Sequence, residues 1–295
     1  MADGPSRIAL LIAAARAYTS HEFDPLVRNP DWMVDALLSP DDIALLENHP
    51  MGRALNQDFR IAALDPEVSG LARPALVTTR YIDQHLRQAA QDGVQQYVFL
   101  NAGFDTRAYR FRALFADSKV VEVDTAATQA LKRERTEMVF GPAPAYLTYA
   151  GIDVDLKDIA NPDEKTFFVW ESASMHTPEA RVREMLSMVA KFAKGSLLVL
   201  DFVPLSQVDK VNRDPMSPQS RWDRGWGEPW VFGVTDQSFF TSLGFSIGDV
   251  LDTSSGEAIK RYLTRRDGSS FGPPPNAPGT GFESDHRRIL VTLEV

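Results

Sequence analysis

The stretch Gln96-Tyr-Val-Phe-Leu-Asn-Ala-Gly-Phe-Asp-Thr-Arg107 decides the fold. After Gln96 the apolar run shows no polar alternation, as in a strand buried on both faces. It ends in Asn101-Ala102-Gly103, where the glycine permits a tight turn and close backbone approach to a ligand. Downstream the pattern recurs in Lys119-Val-Val-Glu-Val-Asp124, in a weaker Tyr146–Gly151, in Thr166-Phe-Phe-Val-Trp-Glu171 and in Ser196–Phe202. Helical stretches at 126–139 and 178–193 lie between these runs. Such alternation implies βαβ units and a parallel sheet. Ile247–Leu251 and Arg288–Val295 bring the count to about seven strands.

Upstream, residues 1–92 read as helices interrupted by prolines: Ile8–Ala15, Asp31–Leu38, Pro40–Glu47 and Leu76–Ala90, the last ending near Asp92-Gly93. Residues 204–233 are irregular and rich in Pro, Asp, Arg and Trp, the mark of a functional loop or one with short elements of its own. The expected architecture is a doubly wound, Rossmann-like α/β core over 93–295. A helical cap over 1–92 precedes it, and an insertion at 203–235 lies on its substrate side.

Bulk composition narrows the function. The chain has 295 residues, a formal net charge of −9 and no cysteine, which removes disulfides, thiolate nucleophiles and thiolate metal ligands together. No metal site is expected. An acidic chain with only short basic clusters is a poor partner for nucleic acid. Arg287-Arg288 reads as flanking charge before a strand. No run of about 18 apolar residues exists, so no membrane span is expected. The segment Ile8–Ala15 is too short and too weakly flanked for a signal peptide. A soluble, cytoplasmic protein is the expectation, as monomer or homodimer.

In open α/β sheets, ligands bind beyond the carboxyl ends of the strands, where strand order reverses. Gly103 and Asp124 occupy two such ends. Asp124 alone reads equally well as the cap of the following helix; together with the glycine turn it reads as an acceptor for ribose hydroxyls. A dinucleotide would require three glycines for its pyrophosphate. Here Gly103 stands alone, and Asp105 would repel phosphate. A cofactor with adenosine and no phosphate fits better, and S-adenosylmethionine is such a cofactor. A nicotinamide oxidoreductase and a non-catalytic interaction module are the rival classes.

The segments Asn101-Ala-Gly-Phe-Asp-Thr-Arg-Ala-Tyr-Arg110, Glu122-Val-Asp124, Asp153-Val-Asp-Leu156 and Glu171-Ser-Ala-Ser-Met-His176 resemble the ordered motifs of the leucine carboxyl methyltransferase family. The resemblance spans roughly residues 76–235 and implies a class I methyltransferase fold. It implies that Arg80 binds the methionine carboxylate, that Asn101, Ala102 and Gly103 line the cofactor loop, and that Asp124 holds the ribose. Asp155 and Leu156 would meet the adenine, and Glu171 would lie near the methionine moiety and the methyl group. Gly227-Glu-Pro-Trp-Val-Phe-Gly233 resembles a family stretch beside the acceptor pocket.

Two departures fall at glycines, with Asn101 and Ser172 in their place. Two more fall on the acceptor side, where His176 replaces tyrosine and Thr177 replaces leucine. His176 is the candidate base, because histidine titrates near neutrality. The expected activity is O-methylation of a carboxylate or hydroxyl of a small molecule, in secondary metabolism. A non-methylating cyclase or lyase and a protein C-terminal carboxyl methyltransferase are the alternatives.

Overall fold

The computed structural model describes residues 4–63, 65–216, 220–221, 225–272 and 287–295. Its sheet comprises β1 (Gln96–Leu100), β2 (Lys119–Asp124), β3 (Leu147–Gly151), β4 (Thr166–Trp170), β5 (Leu197–Phe202), β6 (Ser246–Asp252) and β7 (Ile289–Glu294). The order is β3-β2-β1-β4-β5-β7-β6. The first five strands run parallel, and β7 runs antiparallel between β5 and β6. Strand order reverses between β1 and β4, which places the ligand crevice there. Because β7 is antiparallel, Ile289 at its start pairs with Phe202 at the end of β5. Arg288 therefore stands on the functional edge of the sheet.

Five helices matter for the site: α1 (Arg7–Ser20), α2 (Pro66–Gln91), α3 (Ala126–Phe140), α4 (Glu179–Val189) and α5 (Leu205–Arg213). Helix α1 is buried on nearly every side, Arg16 included, as expected of a helix without a polar face. Helix α2 begins well before Leu76. Asp65 caps it, Pro66 opens it, and it continues through Pro74. A proline inside a helix leaves the carbonyl four residues earlier without its donor. Here that carbonyl belongs to Gly70, and both residues line the same cavity. Helix α5 lies within the stretch that reads as irregular.

Alternating side chains of the strands feed two cores. Tyr97 and Phe99 join Tyr18 of α1 and Leu76 and Leu86 of α2 on one face. Val98, Leu100 and Phe168 meet Val182 and Leu186 of α4 on the other. Packing thus runs continuously across the turn at Asp92-Gly93, from the N-terminal helices into the sheet. Among the described residues, no helix is long and apolar enough to cross a membrane.

Candidate active site

The turn after β1 is built around two left-handed residues. Asn101 has φ 51° and Gly103 has φ 47°. The Asn101 amide oxygen accepts a 2.9 Å bond from the Trp170 indole N–H at the end of β4, which locks the residue in this conformation. The Gly103 N–H donates to Asp124 at 2.7 Å, and Thr125 N–H donates to the same carboxylate at 2.6 Å. Burial still raises the Asp124 pKa against both bonds. Helix α1 roofs the turn: a Cβ on Gly103 would stand 3.2 Å from the Ala9 Cβ. Ser172, after β4, is the other described non-glycine residue at positive φ, 58°. Both positions that read as displaced glycines thus keep the backbone a glycine would take. Asn101→Ala is expected to be less stable than Asn101→Gly by ~1–2 kcal/mol, the left-handed penalty of an ordinary L-residue. Urea denaturation of the two variants checks this, and equal stabilities would remove the strain argument.

Glu171, the residue after β4, sits inside a buried ion network. It forms an ion pair with Arg16 of α1 at 2.6 Å and accepts from Arg107 at 2.8 Å. Arg107 also reaches Asp105 at 2.6 Å and Asp83 of α2 at 2.7 Å, and Arg110 reaches Asp83 at 2.7 Å. Asp31 closes the set through Thr106 and both Arg16 and Arg110. Burial pushes the Glu171 carboxyl upward, but Arg16 and Arg107 together outweigh it and hold it below the ordinary value. Glu171 is therefore an anion, placed beyond β4 at the reversal of strand order.

The other residues singled out in the sequence have partners of their own. Arg80 donates to the backbone carbonyls of Pro25 and Arg28, each at 3.0 Å. Asp155 caps the short helix Leu156–Ile159 and pairs with Lys157 at 2.9 Å in an exposed position. Leu156 is fully buried in the core beside β1 and β2.

Beyond β4, β5 and the start of β7 lies a second polar group. The Asp201 carboxylate, fully buried, accepts from Ser172 N–H at 2.5 Å and from Arg288 at 2.8 Å. Arg288 also donates to Ser172 Oγ at 2.8 Å. His176 Nδ1 lies 2.7 Å from the Glu228 carbonyl. A carbonyl can only accept, so Nδ1 carries the proton and Nε2 keeps its lone pair. Burial and the positive charge of Arg288 push the His176 pKa down to about 4, against the carbonyls of Glu228 and Pro229. The same Glu228 caps α1 through its side chain, accepting from Ser6 Oγ at 2.6 Å and from the N–H groups of Arg7 and Ile8 at 2.8 and 3.3 Å.

Between these groups is a cavity of about 30 Å³. Ile8, Leu11 and Ile12 of α1 form one wall, and Leu71, Pro74 and Ala75 of α2 form another. Ser172, His176, Trp230 and Arg288 supply its polar end. Ligand pockets usually enclose ~300–1,000 Å³, so an acceptor of ordinary size enters only if the walls from α1 and α2 part.

Sequence reading passed over Arg16, Asp31, Asp83, Asp201 and Glu228, and gave Arg107 and Arg288 no role. One signal was available for Arg16, a lone cation in the apolar run Ala13-Ala14-Ala15-Arg16-Ala17. The others are joined by contacts that no periodicity displays.

The residues at the strand ends fit S-adenosylmethionine. Gly103 offers bare backbone, and Asp124 keeps acceptor capacity beside it. Glu171 and Asp105 make the surroundings anionic, and among the described residues no further glycine extends the turn into a phosphate cradle. A family model for leucine carboxyl methyltransferase matches residues 9–190. A Mycolicibacterium smegmatis protein assigned as an S-adenosyl-L-methionine-dependent methyltransferase is 27% identical over 275 residues, covering 86% of this chain and 83% of its own. The Bacillus subtilis protein YktD, with the same assignment, is 26% identical over 216 residues, covering 67% and 70%. The crystal structure of a DUF574 family protein from Streptomyces avermitilis superposes with a TM-score of 0.52 at 12% identity, covering 96% of each chain. The chain belongs to the leucine carboxyl methyltransferase family and is an S-adenosylmethionine-dependent methyltransferase.

Proposed function

We propose that the methyl group goes to an oxygen, hydroxyl or carboxylate, of a small molecule. The observation that carries this reading is the cavity beside Glu171, closed at one end by a neutral histidine with a free lone pair. When bound, the cofactor supplies an electrophilic methyl on a sulfonium, and the bond made to the acceptor oxygen is balanced by the carbon–sulfur pair leaving on sulfur. The protein's own work is alignment, which can be worth ~7–11 kcal/mol. His176 Nε2 takes the proton of a hydroxyl acceptor, and a carboxylate acceptor needs no base. Asp124 holds the ribose, while Glu171 and Arg16 flank the methionine end. Incubation with methyl-tritiated cofactor and a small-molecule extract tests the reading. Label in an ether or ester of low mass supports it, whereas label confined to macromolecules, or methylthioadenosine as the product, overturns it.

Asp124→Ala is expected to weaken binding of the demethylated cofactor by ~1–3 kcal/mol, the usual loss for a hydrogen bond to a charged group. Isothermal calorimetry measures it. An unchanged affinity would leave Asp124 as the anchor of the Gly103 turn only.

A further inference from the structure

The polar end of the cavity is rich in donors and carries one cation, Arg288, paired behind the lining with Asp201. Arg288 is the one charged side chain among its lining residues, and no carboxylate lines it. Among the described residues, Nη1 is the one nitrogen of the Arg288 guanidinium with a hydrogen-bond partner. Trp230 adds a second unspent donor: its ring is 2% exposed, and its indole N–H has no partner among the described residues. A buried N–H left unpaired costs free energy that an incoming oxygen would recover. Trp230 is also held firmly, with its carbonyl accepting from Asn212 at 3.1 Å and its ring packed on Met175 and Val208. The positive field of Arg288 reaches His176, despite the neighbouring Asp201. Opposite these groups, the walls from α1 and α2 are apolar apart from Thr78.

We propose that the methyl acceptor is an apolar molecule bearing a carboxylate, which docks on Arg288 and the Trp230 indole N–H while its body lies between α1 and α2. The carboxylate serves as a handle, and a hydroxyl elsewhere on the same molecule faces His176 as the methylated group. This assignment rests on the methyl-transfer reading of the site. Arg288 suits the task because its planar fork matches a carboxylate.

Calorimetry on the protein saturated with demethylated cofactor tests the proposal, with 2-naphthoate and its neutral analogue 2-naphthamide as probes. The naphthoate is expected to bind at least about tenfold more tightly than the amide. Trp230→Phe removes the indole N–H donor together with part of the ring. It should weaken the naphthoate about tenfold and the amide less; the lost packing lowers the melting temperature and weighs on both probes alike, so the difference between them reads the donor. Arg288→Lys keeps the charge over Asp201 and should also narrow the preference. Equal affinity for the two probes, no binding of the naphthoate, or a preference that survives both substitutions would overturn the proposal. Failure of the demethylated cofactor itself to bind would sink the methyl-transfer reading as well, and that titration precedes the others.

Discussion

Arg107→Met is expected to cost about 3–5 kcal/mol of folding stability at pH 7, the penalty for removing one partner of a buried ion pair. Arg107 is 1% exposed and holds Asp83, Asp105 and Glu171 at once. Without it, three carboxylates face one another in a site closed to water, with Arg16 and Arg110 left to serve them. For a chain of this size the loss lowers the melting temperature by something on the order of 10 °C. The pH dependence tells this mechanism apart from a simple packing defect. In the wild type, burial works to raise Asp83, Asp105 and Glu171, but the arginines overcome it and hold all three below their ordinary values. Their contribution is thus present above the unfolded carboxylate range and is lost as pH falls through the depressed values. In the variant the same groups bind protons more readily than the unfolded chain, so the deficit should shrink from pH 8 to pH 5. Urea midpoints at those two pH values read this directly. A deficit below about 1 kcal/mol at pH 7, or one independent of pH, would mean that Arg107 does not hold the network together.

That network marks where sequence reading stops. The strands were legible because burial on both faces leaves long apolar runs, and the chain's ligand edge was legible because polar residues terminate those runs. Gly103 and Asp124 were paired by that logic, and they touch. Asn101 and Ser172 read as departures from glycine, yet both retain positive φ. Side-chain chemistry rescued Asn101 through Trp170 and tied Ser172 to Arg288. The sequence reads helix α2 from Leu76 onward because local propensity treats a proline such as Pro74 as a stop, whereas burial of Leu76, Val77 and Leu86 holds the helix through it. Arg80 and Arg16 illustrate the harder case. Both are arginines on helices that cover the sheet, and only the folded chain sends one to the carbonyls of Pro25 and Arg28 and the other to Glu171. Asp201 and Arg288 meet across 87 positions because β7 inserts antiparallel beside β5. Nothing local in Arg287-Arg288 separates a solvated flank from a residue at the mouth of a site.

His176→Gln is expected to lower kcat by about 10²-fold on a hydroxyl acceptor, the low end of the range for general bases. The low end follows from the depressed pKa of about 4: a histidine that weakly holds a proton is always free to accept one, but gives it a small driving force. The wild-type kcat/KM profile should then show its acid limb near pH 4 rather than near the ordinary histidine value, and the variant should lack that limb. Stability provides a second reading. The folded pKa lies below the unfolded one, so the unfolded chain binds the extra proton between about pH 4 and 6.5, and stability falls as pH drops through that window. The effect is at most about 3 kcal/mol and is absent from the glutamine variant. Glu122, pushed up to about 7 by burial against Lys132, has the opposite slope, but it is common to both proteins and cancels in their difference. Glutamine can still hydrogen-bond the Glu228 carbonyl, so the loop that caps α1 should remain in place. An unchanged kcat with a raised KM would make His176 a binding group for the acceptor. Unchanged values of both would remove it from the reaction and leave Arg288 and Trp230 as the acceptor's polar contacts.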